Sequence, residues 1–468
     1  MKKTKIVSTI GPATDSEQTL EQLVEAGVNV ARQNFSHVDH EAHKELYDKI
    51  RNASQDIAVM ADTKGPEIRL GEVEETTIEK GDTLKLTTKE VVGDSERLPV
   101  KYSDLIKHLE EGDEVRVDDG KIELEVQEIL SDEEAVCKIL FGGEVSDRRA
   151  VNVPGKDIGL RAPTEKDRKD IAFAAEQGFD FVSLSFVKHA EDVENVREIL
   201  EEHDSDMDII SKIEHRKAVE NFDEILEASD AIMVARGDLG VEMPAPQLPR
   251  LQKEMIQKCN KAGKPVITAT QMLESMTENS TATRAEISDV ANAVLDGSDA
   301  VMLSGETAMG DYPVKTVEFM SEIVQEAEKE VEEEVHHTVK DKSNGTSEII
   351  CKGVWQASYD GDSDYIVAHT RSGSTARNIA KYRPETPLIA FTDKEIVKRQ
   401  LQLVWGVDPH HQEFHSNTDK LVEDSAQKLQ NLGIAEKEDE LILTAGIPTP
   451  ETGTTNTMQI RTIKSILE

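Results

Sequence analysis

Eight short apolar runs, separated by amphipathic helical patterns, constrain the fold of this chain more than any other feature. The runs begin at Lys5, Val28, Ile57, Phe181, Asp208, Ala231, Lys264 and Ala300. Regular alternation of strand and helix favours parallel strands, and eight such units match a closed (β/α)₈ barrel of the TIM type. On periodicity alone, an open, doubly wound sheet is the alternative.

The third strand–helix unit is interrupted by a stretch of different character. Short alternating runs, TLKLTT, DEVRVDDG, KIELEVQEIL and AVCKIL, are split there by Gly and Asp turns, a pattern typical of a small β domain. We therefore predict a barrel domain over residues 1–66 and 162–332, with an inserted β domain over 67–161. Because insertions after barrel strands lie over the active-site face, the insertion is predicted to be a mobile lid.

A further α/β pattern follows the barrel. The charged tract EAEKEVEEEVHHTVKDKSNGTS is interpreted as the end of a helix and a connector. The runs DYIVAH, PLIAFT, DELILTAG and TMQIRTI, with the helical TARNIAKYR, then predict a third domain over residues 333–468.

Composition narrows the possible partners. A formal charge of -39 argues against nucleic acid or an anionic membrane as a partner. The acidic surface indicates either simple solubility or adaptation to a salt-rich cytoplasm. The N-terminus carries no signal-peptide pattern, and no apolar run approaches the roughly 20 residues that span a bilayer. The three separated cysteines predict neither disulfides nor a zinc site, so a cytoplasmic protein is expected.

Polar residues collect where the predicted strands end, and in a barrel these ends meet at one face. They include Arg32, Asn34, Ser36, Asp62, Thr63, Lys212, Glu214, Arg236, Asp238 and Thr270, with Arg69 just beyond the third strand. A protein interior tolerates such charges only when they are paired or bind a metal.

Glu214 and Asp238 follow adjacent strands and suit a hard cation such as Mg²⁺, which takes one or two carboxylates together with water and substrate oxygens. Ordinary salt bridges, Lys212 with Glu214 and Arg236 with Asp238, are the alternative explanation. The surrounding cations favour a phosphoryl-transfer site, where catalysis depends on positioning and charge neutralisation.

Two glycine-containing segments are weaker signals. RGDLG places Gly237 and Asp238 after a strand, where backbone amides can meet an anion, although a glycine there is more often only a turn. RSGSTARNIA opens a helix with Ser372 and Ser374, which are equally compatible with a phosphate site or an ordinary helix cap.

The chain resembles the pyruvate kinase family over essentially its whole length. The matching motifs are TKIVSTIGPA, NVARQNFSH, ADTKGPEIRLG, VNVPG, SLSFV, SKIE, IMVARGDLGVE, KPVITATQMLESM, ATRAEISDVANAVLDGSDAVMLSGETAMGDYP and GTTNTM. The resemblance implies phosphoryl transfer from phosphoenolpyruvate to ADP, giving pyruvate and ATP. It also implies a homotetramer, because members of the family commonly assemble in this way.

By the same resemblance, Glu214 and Asp238 bind Mg²⁺ or Mn²⁺, and Lys212 neutralises the phosphoryl group in flight and the developing enolate. Arg32 holds phosphate, and Arg69 contacts phosphate or pairs with Glu67. The substrate carboxylate is held by Thr270 and the Gly237 and Asp238 amides, and Thr270 with ordered water is the suspected route for the final proton. The K⁺ site takes Asn34, Ser36, Asp62 and Thr63.

The resemblance also extends to an effector phosphate site at HTRSGSTA, with Thr370, Ser372, Ser374 and Thr375. The loop AGIPTPETGTTN lacks a basic residue to hold a second phosphate, which argues against a sugar bisphosphate and leaves a monophosphate effector, or none. Gln33 and Val38 depart from the family pattern, where an apolar residue and a glycine are usual.

Two other functions are weighed against pyruvate kinase. A metal-dependent aldolase or lyase on a related barrel shares the need to stabilise an enolate on Mg²⁺, but it does not need DTKGPEIR or a lid. A catalytically inactive, phosphometabolite-binding regulator would be free to lose Lys212, Glu214, Asp238 and Thr270, which are all present.

Overall fold

The computed structural model describes residues 2–334, 345–414, 417–446 and 455–468. Part of the predicted connector, 335–344, and residues 447–454 of the loop AGIPTPETGTTN lie outside the described residues. The expectation about a sugar bisphosphate, which depends on that loop, therefore stays a prediction.

The first part of the barrel alternates strand and helix without interruption. Its elements are β1 (Lys5–Thr9), α1 (Glu17–Ala26), β2 (Val30–Asn34), α2 (His40–Ala53) and β3 (Ala58–Asp62). Helix α1 begins where the Ser16 side chain accepts a hydrogen bond from the Thr19 amide, and it ends at Gly27, whose φ of 112° favours glycine.

The inserted segment forms two sheets with a core of their own, antiparallel except where β5 and β6 pair in parallel. Its elements are β4 (Thr76–Ile78), β5 (Thr83–Thr87), β6 (Arg97–Pro99), α3 (Leu105–His108), β7 (Glu114–Val117), β8 (Ile122–Ser131), β9 (Glu134–Phe141), β10 (Gly143–Val145) and β11 (Val151–Asn152). The larger sheet has the order β11-β7-β8-β9-β5-β6, and β4 pairs with β10. The four predicted runs correspond to β5, β7, β8 and β9, whereas the shortest strands are too brief to show alternation.

The second part of the barrel contains the remaining five strands. Its elements are α4 (Glu165–Gln177), β12 (Phe181–Leu184), α5 (Ala190–Glu202), β13 (Asp208–Ile213), α6 (Arg216–Glu220), α7 (Phe222–Ala228), β14 (Ala231–Ala235), α8 (Arg236–Glu242), α9 (Leu248–Ala262), β15 (Val266–Ala269), α10 (Arg284–Leu295), β16 (Ala300–Leu303), α11 (Gly305–Ala308) and α12 (Pro313–Glu334). Short 3₁₀ segments lie at Ala245–Gln247 and Glu274–Thr277.

The eight strands close into a parallel barrel in the order β1-β16-β15-β14-β13-β12-β3-β2. Strand β1 pairs with both β16 and β2, so no edge remains, and the predicted barrel is confirmed over the open sheet. Residues from all eight strands pack together inside the barrel, including Val7, Val30, Met60, Phe181 and Ile210. The barrel is therefore a filled core, and only the strand ends are available for chemistry.

The C-terminal region is a separate α/β layer structure, as predicted. Its elements are α13 (Thr346–Asp360), β17 (Tyr365–His369), α14 (Ser374–Ala380), β18 (Leu388–Thr392), α15 (Glu395–Gln400), a 3₁₀ segment (Leu401–Leu403), β19 (Val407–His411), α16 (Thr418–Asn431), β20 (Glu440–Gly446), β21 (Thr455–Thr462) and α17 (Ile463–Leu467). The strand order is β19-β18-β17-β20-β21. Sequence reasoning did not identify β19, because it contains Pro409 and two histidines, which only an edge strand accommodates.

This C-terminal layer contacts the barrel where the strands begin. Arg399 donates to Asp180 at 2.6 Å just before β12, and Arg377 pairs with Asp208 at the start of β13. Arg383 donates to Asp299 at 3.0 Å just before β16. Because these contacts occupy the amino ends of the strands, the carboxyl ends stay open towards the inserted sheets. Among the described residues, no helix is long and apolar enough to span a membrane.

Candidate active site

The ends of β2 and β3 bring a buried ion pair to the open face of the barrel. Arg32 contacts Asp62 through two of its nitrogens, one of them Nε at 3.0 Å, and donates through Nη1 to the Thr9 hydroxyl at 2.8 Å. Asp62 is 1% exposed. Burial alone would raise the pKa of its carboxyl, but Arg32 and Lys212 together hold that pKa below its usual range. Asp62 is therefore a fixed negative charge.

Lys212, on β13, lies beside this pair. Its Nζ is 2.8 Å from Glu214 Oε1, 2.8 Å from Ser185 Oγ and 3.4 Å from Asp62 Oδ1. Burial favours the neutral amine, yet the Asp62 and Glu214 carboxylates outweigh it and hold the pKa of Lys212 above its usual range. An ammonium group thus stays charged in the interior, close to the carboxyl end of β13.

Glu214 follows β13 and Asp238 follows β14, so both acidic groups lie at the same face of the barrel as this ammonium. Burial, reinforced by the Asp238 carboxylate, raises the pKa of Glu214 to about 7, although Lys212 opposes the shift. Glu214 Oε2 also accepts a hydrogen bond from the Phe186 amide at 2.7 Å. Asp238 is exposed to the cleft. Two carboxylates that repel each other beside open space have the chemistry to hold a divalent cation.

Within the described parts of the chain, no cluster of three or more His, Cys, Asp or Glu side chains could hold a metal ion. A cation at Glu214 and Asp238 would therefore complete its coordination with oxygens of water or of a substrate. This arrangement is typical of Mg²⁺ in phosphate-handling sites.

The four residues assigned by resemblance to K⁺ lie on adjacent strand ends. Asn34 is directly opposite Asp62 in the pairing of β2 with β3. The Asn34 side-chain oxygen accepts from the Ser36 amide at 3.0 Å, and Thr63 Oγ1 accepts from the Ser185 amide at 3.1 Å. Asp62 Oδ1 is buried and makes no hydrogen bond, although Lys212 Nζ lies 3.4 Å from it. This all-oxygen set fits a monovalent cation.

Thr270 and Gly237 meet across the ends of β15 and β14. The Gly237 amide donates to Thr270 Oγ1 at 2.8 Å, and Thr270 has a φ of 68°, which is unusual for a β-branched residue. Arg236 donates to the Thr270 carbonyl and to Asp289, both at 2.7 Å. Of the two salt bridges considered above, Lys212 with Glu214 is present, whereas Arg236 pairs with Asp289 rather than with Asp238.

Arg69 is separate from this cluster. Its guanidinium pairs with Glu67 at 2.8 Å and donates to the Arg148 carbonyl at 2.8 Å, so it joins the start of the inserted segment to its end. This pairing is one of the two roles that the resemblance implies, and a contact with phosphate stays a prediction.

A cleft lies between the inserted sheets and the barrel. Both sides contribute ionisable groups to it: Asp119 and Lys156 from the insertion, and Lys188, His215, Asp238 and Glu242 from the barrel. Sequence reasoning missed Ser185, Lys188 and Glu242. Only the position of Ser185 and Lys188 at the end of the SLSFV strand could have indicated them.

The four residues of the suggested effector site come together after β17. Ser372 Oγ lies 3.1 Å from Ser374 Oγ, and Thr375 Oγ1 lies 2.7 Å from Thr455 Oγ1. Thr370 Oγ1 is buried without a hydrogen-bond partner. The structure therefore gathers these hydroxyls in one loop and helix start, as the resemblance implies, and their role stays a prediction.

Comparison with known proteins gives a consistent result along the chain. The family model described as "Pyruvate kinase, barrel domain" matches residues 1–317, and "Pyruvate kinase, alpha/beta domain" matches residues 348–461. A pyruvate kinase of Bacillus licheniformis is 46% identical over 477 residues, which cover 100% of this chain and 81% of the relative. One of Geobacillus stearothermophilus is 46% identical over 476 residues, with the same coverage.

A solved structure agrees with these relatives. The crystal structure of a pyruvate kinase from Cryptosporidium parvum superposes with a TM-score of 0.93 at 40% identity, covering 99% of this chain and 96% of that chain. Similarity in sequence and in structure thus extends over essentially the whole of this chain. The chain belongs to the pyruvate kinase family.

Proposed function

We propose that the protein transfers the phosphoryl group of phosphoenolpyruvate to ADP and releases pyruvate and ATP. The observation that carries this proposal is the buried Lys212, which the Asp62 and Glu214 carboxylates keep charged and which shares Asp62 with Arg32, at the strand ends that also expose Asp238. Two cationic side chains at the same face of the barrel suit the transfer of a phosphoryl group. That group carries several negative charges, and negative charge also develops on its leaving group during the transfer.

The reaction divides into two steps in which these residues act differently. In the first, the bond between phosphorus and the enol oxygen breaks and an oxygen of the ADP β-phosphate bonds to phosphorus. Arg32 holds the phosphate while Lys212 offsets charge on the phosphoryl group and on the enolate left behind. In the second, the enolate carbon takes a proton and becomes the methyl group of pyruvate. Thr270, with ordered water, is the proposed route for that proton.

Substrate orientation is assigned to groups at neighbouring strand ends. The carboxylate of phosphoenolpyruvate is held by the Thr270 hydroxyl and by the Gly237 and Asp238 amides. For the Gly237 amide this requires it to leave the Thr270 hydroxyl, to which it donates at 2.8 Å. Arg69 is proposed to contact phosphate from the start of the lid.

Two cations are proposed to support the transfer. Glu214 and Asp238 would hold Mg²⁺ or Mn²⁺, and Asn34, Ser36, Asp62 and Thr63 would hold K⁺. When bound, these cations neutralise phosphate charge and help to orient the phosphate. The support for the second site is its all-oxygen set and the buried Asp62 Oδ1, which makes no hydrogen bond and lies 3.4 Å from Lys212 Nζ.

Family membership supports two further proposals, a homotetrameric assembly and a cytoplasmic location. An effector with one phosphate is proposed to bind at Thr370, Ser372, Ser374 and Thr375. Matches that extend over the lid and the C-terminal layer favour pyruvate kinase over an aldolase or lyase, which would share the barrel alone.

A single assay tests the central proposal. Pyruvate formation from phosphoenolpyruvate and ADP is measured with Mg²⁺, and K⁺ is compared with Na⁺ at equal ionic strength. We expect pyruvate to form, with a faster rate in K⁺. Folded protein that forms no pyruvate in either salt would instead favour the lyase or the inactive regulator, and equal rates in both salts would remove the support for the K⁺ site.

A further inference from the structure

Gln33 is a fully buried amide on β2, directly before the proposed K⁺ ligand Asn34. Burying a side-chain amide without hydrogen bonds destabilises the folded state, so a buried amide is expected to have partners. The partners of Gln33 therefore indicate its role. Its side chain lies 2.9 Å from Nδ1 of His43, which belongs to helix α2 and is itself buried. The opposite ring nitrogen, Nε2, lies 3.1 Å from the backbone carbonyl of His37.

The chemistry of these groups fixes the direction of each hydrogen bond. Burial lowers the pKa of His43 and so favours the neutral imidazole, which carries a single N–H. A carbonyl can only accept, and therefore Nε2 donates to His37 and Nδ1 accepts. Gln33 must then present its amide nitrogen to Nδ1, and in this orientation its oxygen accepts from the Tyr47 amide at 3.2 Å. The result is a directed chain of hydrogen bonds, here called the relay, that runs from Gln33 on β2 through His43 on α2 to the His37 carbonyl in the loop after β2.

The relay ends at a strained turn. Val38, directly after His37, has a φ of 51° and is 68% exposed. A β-branched residue in this region costs roughly 1–3 kcal/mol and persists only where its surroundings hold it. The exposed side chain gains nothing from packing, so the restraint must come from backbone contacts nearby. The His43 to His37 hydrogen bond is such a contact, and the Phe35 ring also stacks on the His43 imidazole at 3.8 Å.

We propose that Gln33 and His43 are positioning residues that hold the strained turn at Val38 and thereby keep Asn34 and Ser36 placed for the monovalent cation. This inference rests on the proposed K⁺ site. Both ligands lie among the three residues, 34–36, that separate Gln33 from His37, at the end of β2 and the start of the loop after it. If the relay is lost, Val38 relaxes towards negative φ, and the change in chain direction passes first to Ser36 and Asn34.

The test measures cation binding without turnover. Unfolding temperature is followed against K⁺ concentration, with choline replacing K⁺ at constant ionic strength, because a bound cation raises the unfolding temperature once its concentration exceeds the dissociation constant. In Gln33→Met, which keeps the volume but removes both hydrogen bonds, we expect the K⁺ concentration at which this rise begins to increase about tenfold. A steady-state assay should show the same shift in the K⁺ requirement, with kcat at saturating K⁺ little changed.

Two further variants separate positioning from packing. Val38→Gly removes the strain, so in the double variant with Gln33→Met we expect the K⁺ requirement to return to within about threefold of the wild type. Gln412→Met removes a buried glutamine bonded to Leu421 and Ser425 in the C-terminal layer, and it should lower stability without moving the K⁺ requirement.

The outcomes are distinct. An unchanged K⁺ requirement in Gln33→Met, or a shift that Val38→Gly fails to reverse, would overturn the relay. If the wild-type protein shows no K⁺-specific stabilisation, the cation site and the relay fall together, whereas pyruvate formation in the assay above would still support the phosphoryl transfer.

Discussion

At the scale of single residues, the site depends on charges that burial does not neutralise. Lys212 stays protonated because Asp62, Glu214 and Ser185 surround its Nζ within 3.4 Å. An isolated lysine in the same place would lose its proton. The carboxylates thus do more than pair with the lysine, since they keep it charged until a phosphate can replace them as its partner.

Replacing Lys212 with Met tests this role. The substitution keeps the length of the side chain but removes the charge that would stabilise the transition state, so we expect kcat to fall by at least about 100-fold. Lys264→Met is a matched control, because the Lys264 ammonium donates to the carbonyls of Leu226, Glu227 and Ser229, away from the carboxyl ends of the strands. It should lower stability and leave kcat nearly unchanged. Near-normal turnover of folded Lys212→Met would refute the assigned role.

At the scale of secondary-structure elements, strand ends serve different purposes in the two α/β units. The barrel strands end in the polar groups proposed to bind substrate and cations, whereas β17 ends in His369, which is buried between α16 and β20. His369 Nε2 lies 2.7 Å from Ser425 Oγ, and Nδ1 lies 3.3 Å from the Thr444 carbonyl. Burial lowers the pKa of His369 to about 4. This histidine is therefore a neutral part of the core and is not a candidate catalyst.

The same histidine predicts acid sensitivity of the C-terminal layer. An unfolded histidine titrates near pH 6.5, so between about pH 6.5 and pH 4 the unfolded chain binds the extra proton and the folded chain does not. We expect stability to fall as pH drops through this window, and to fall less in His369→Gln. Tryptophan fluorescence measures this transition, because the chain has 2 tryptophans and both, Trp355 and Trp405, lie beyond the barrel. An identical pH dependence in the variant would contradict the assignment.

At the scale of the whole molecule, charge is distributed in two ways. The formal total is -39, yet the contacts between the C-terminal layer and the barrel use opposite charges. Asp180, Asp208 and Asp299 accept from arginines of that layer. Removing one partner of a buried ion pair typically lowers the free energy of unfolding by about 3–5 kcal/mol. The excess of acidic side chains therefore lies mainly outside these interfaces, where the carboxylates repel one another through solvent.

The acidic surface predicts a gain in stability with salt. Salt screens the repulsion between acidic side chains. The Debye length, which sets the range of this repulsion, falls from about 10 Å at 0.1 M to about 3 Å at 1 M salt. We expect the unfolding temperature and the pyruvate kinase rate both to rise over this range. Choline chloride screens charge without serving the K⁺ site, so it separates screening from specific cation binding. A fall or no change in unfolding temperature in both salts would mean that the acidic surface serves solubility alone.

Local patterns determined much of this protein. Alternating apolar runs were enough to predict all eight barrel strands, the inserted β domain and the C-terminal layer, because backbone hydrogen bonding and burial impose short periods on the sequence. The ordered motifs were enough to indicate the family. Residues next to a strand end, such as Arg32, Lys212 and Glu214, could be placed at one face because all parallel strands in a barrel point the same way.

Tertiary structure alone decided which groups become partners. Arg236 pairs with Asp289 from α10 rather than with Asp238, two residues away in sequence. Ser185 contacts Lys212 across 27 residues, and Gln33 reaches His43 on a separate helix. Nor could the sequence show that the C-terminal layer covers the amino ends of the strands and leaves the opposite face open. The spacing of apolar residues in the sequence shows which face of a single helix or strand is buried. Which side chains form hydrogen bonds and ion pairs depends on distances between elements, and these are set only when the barrel closes.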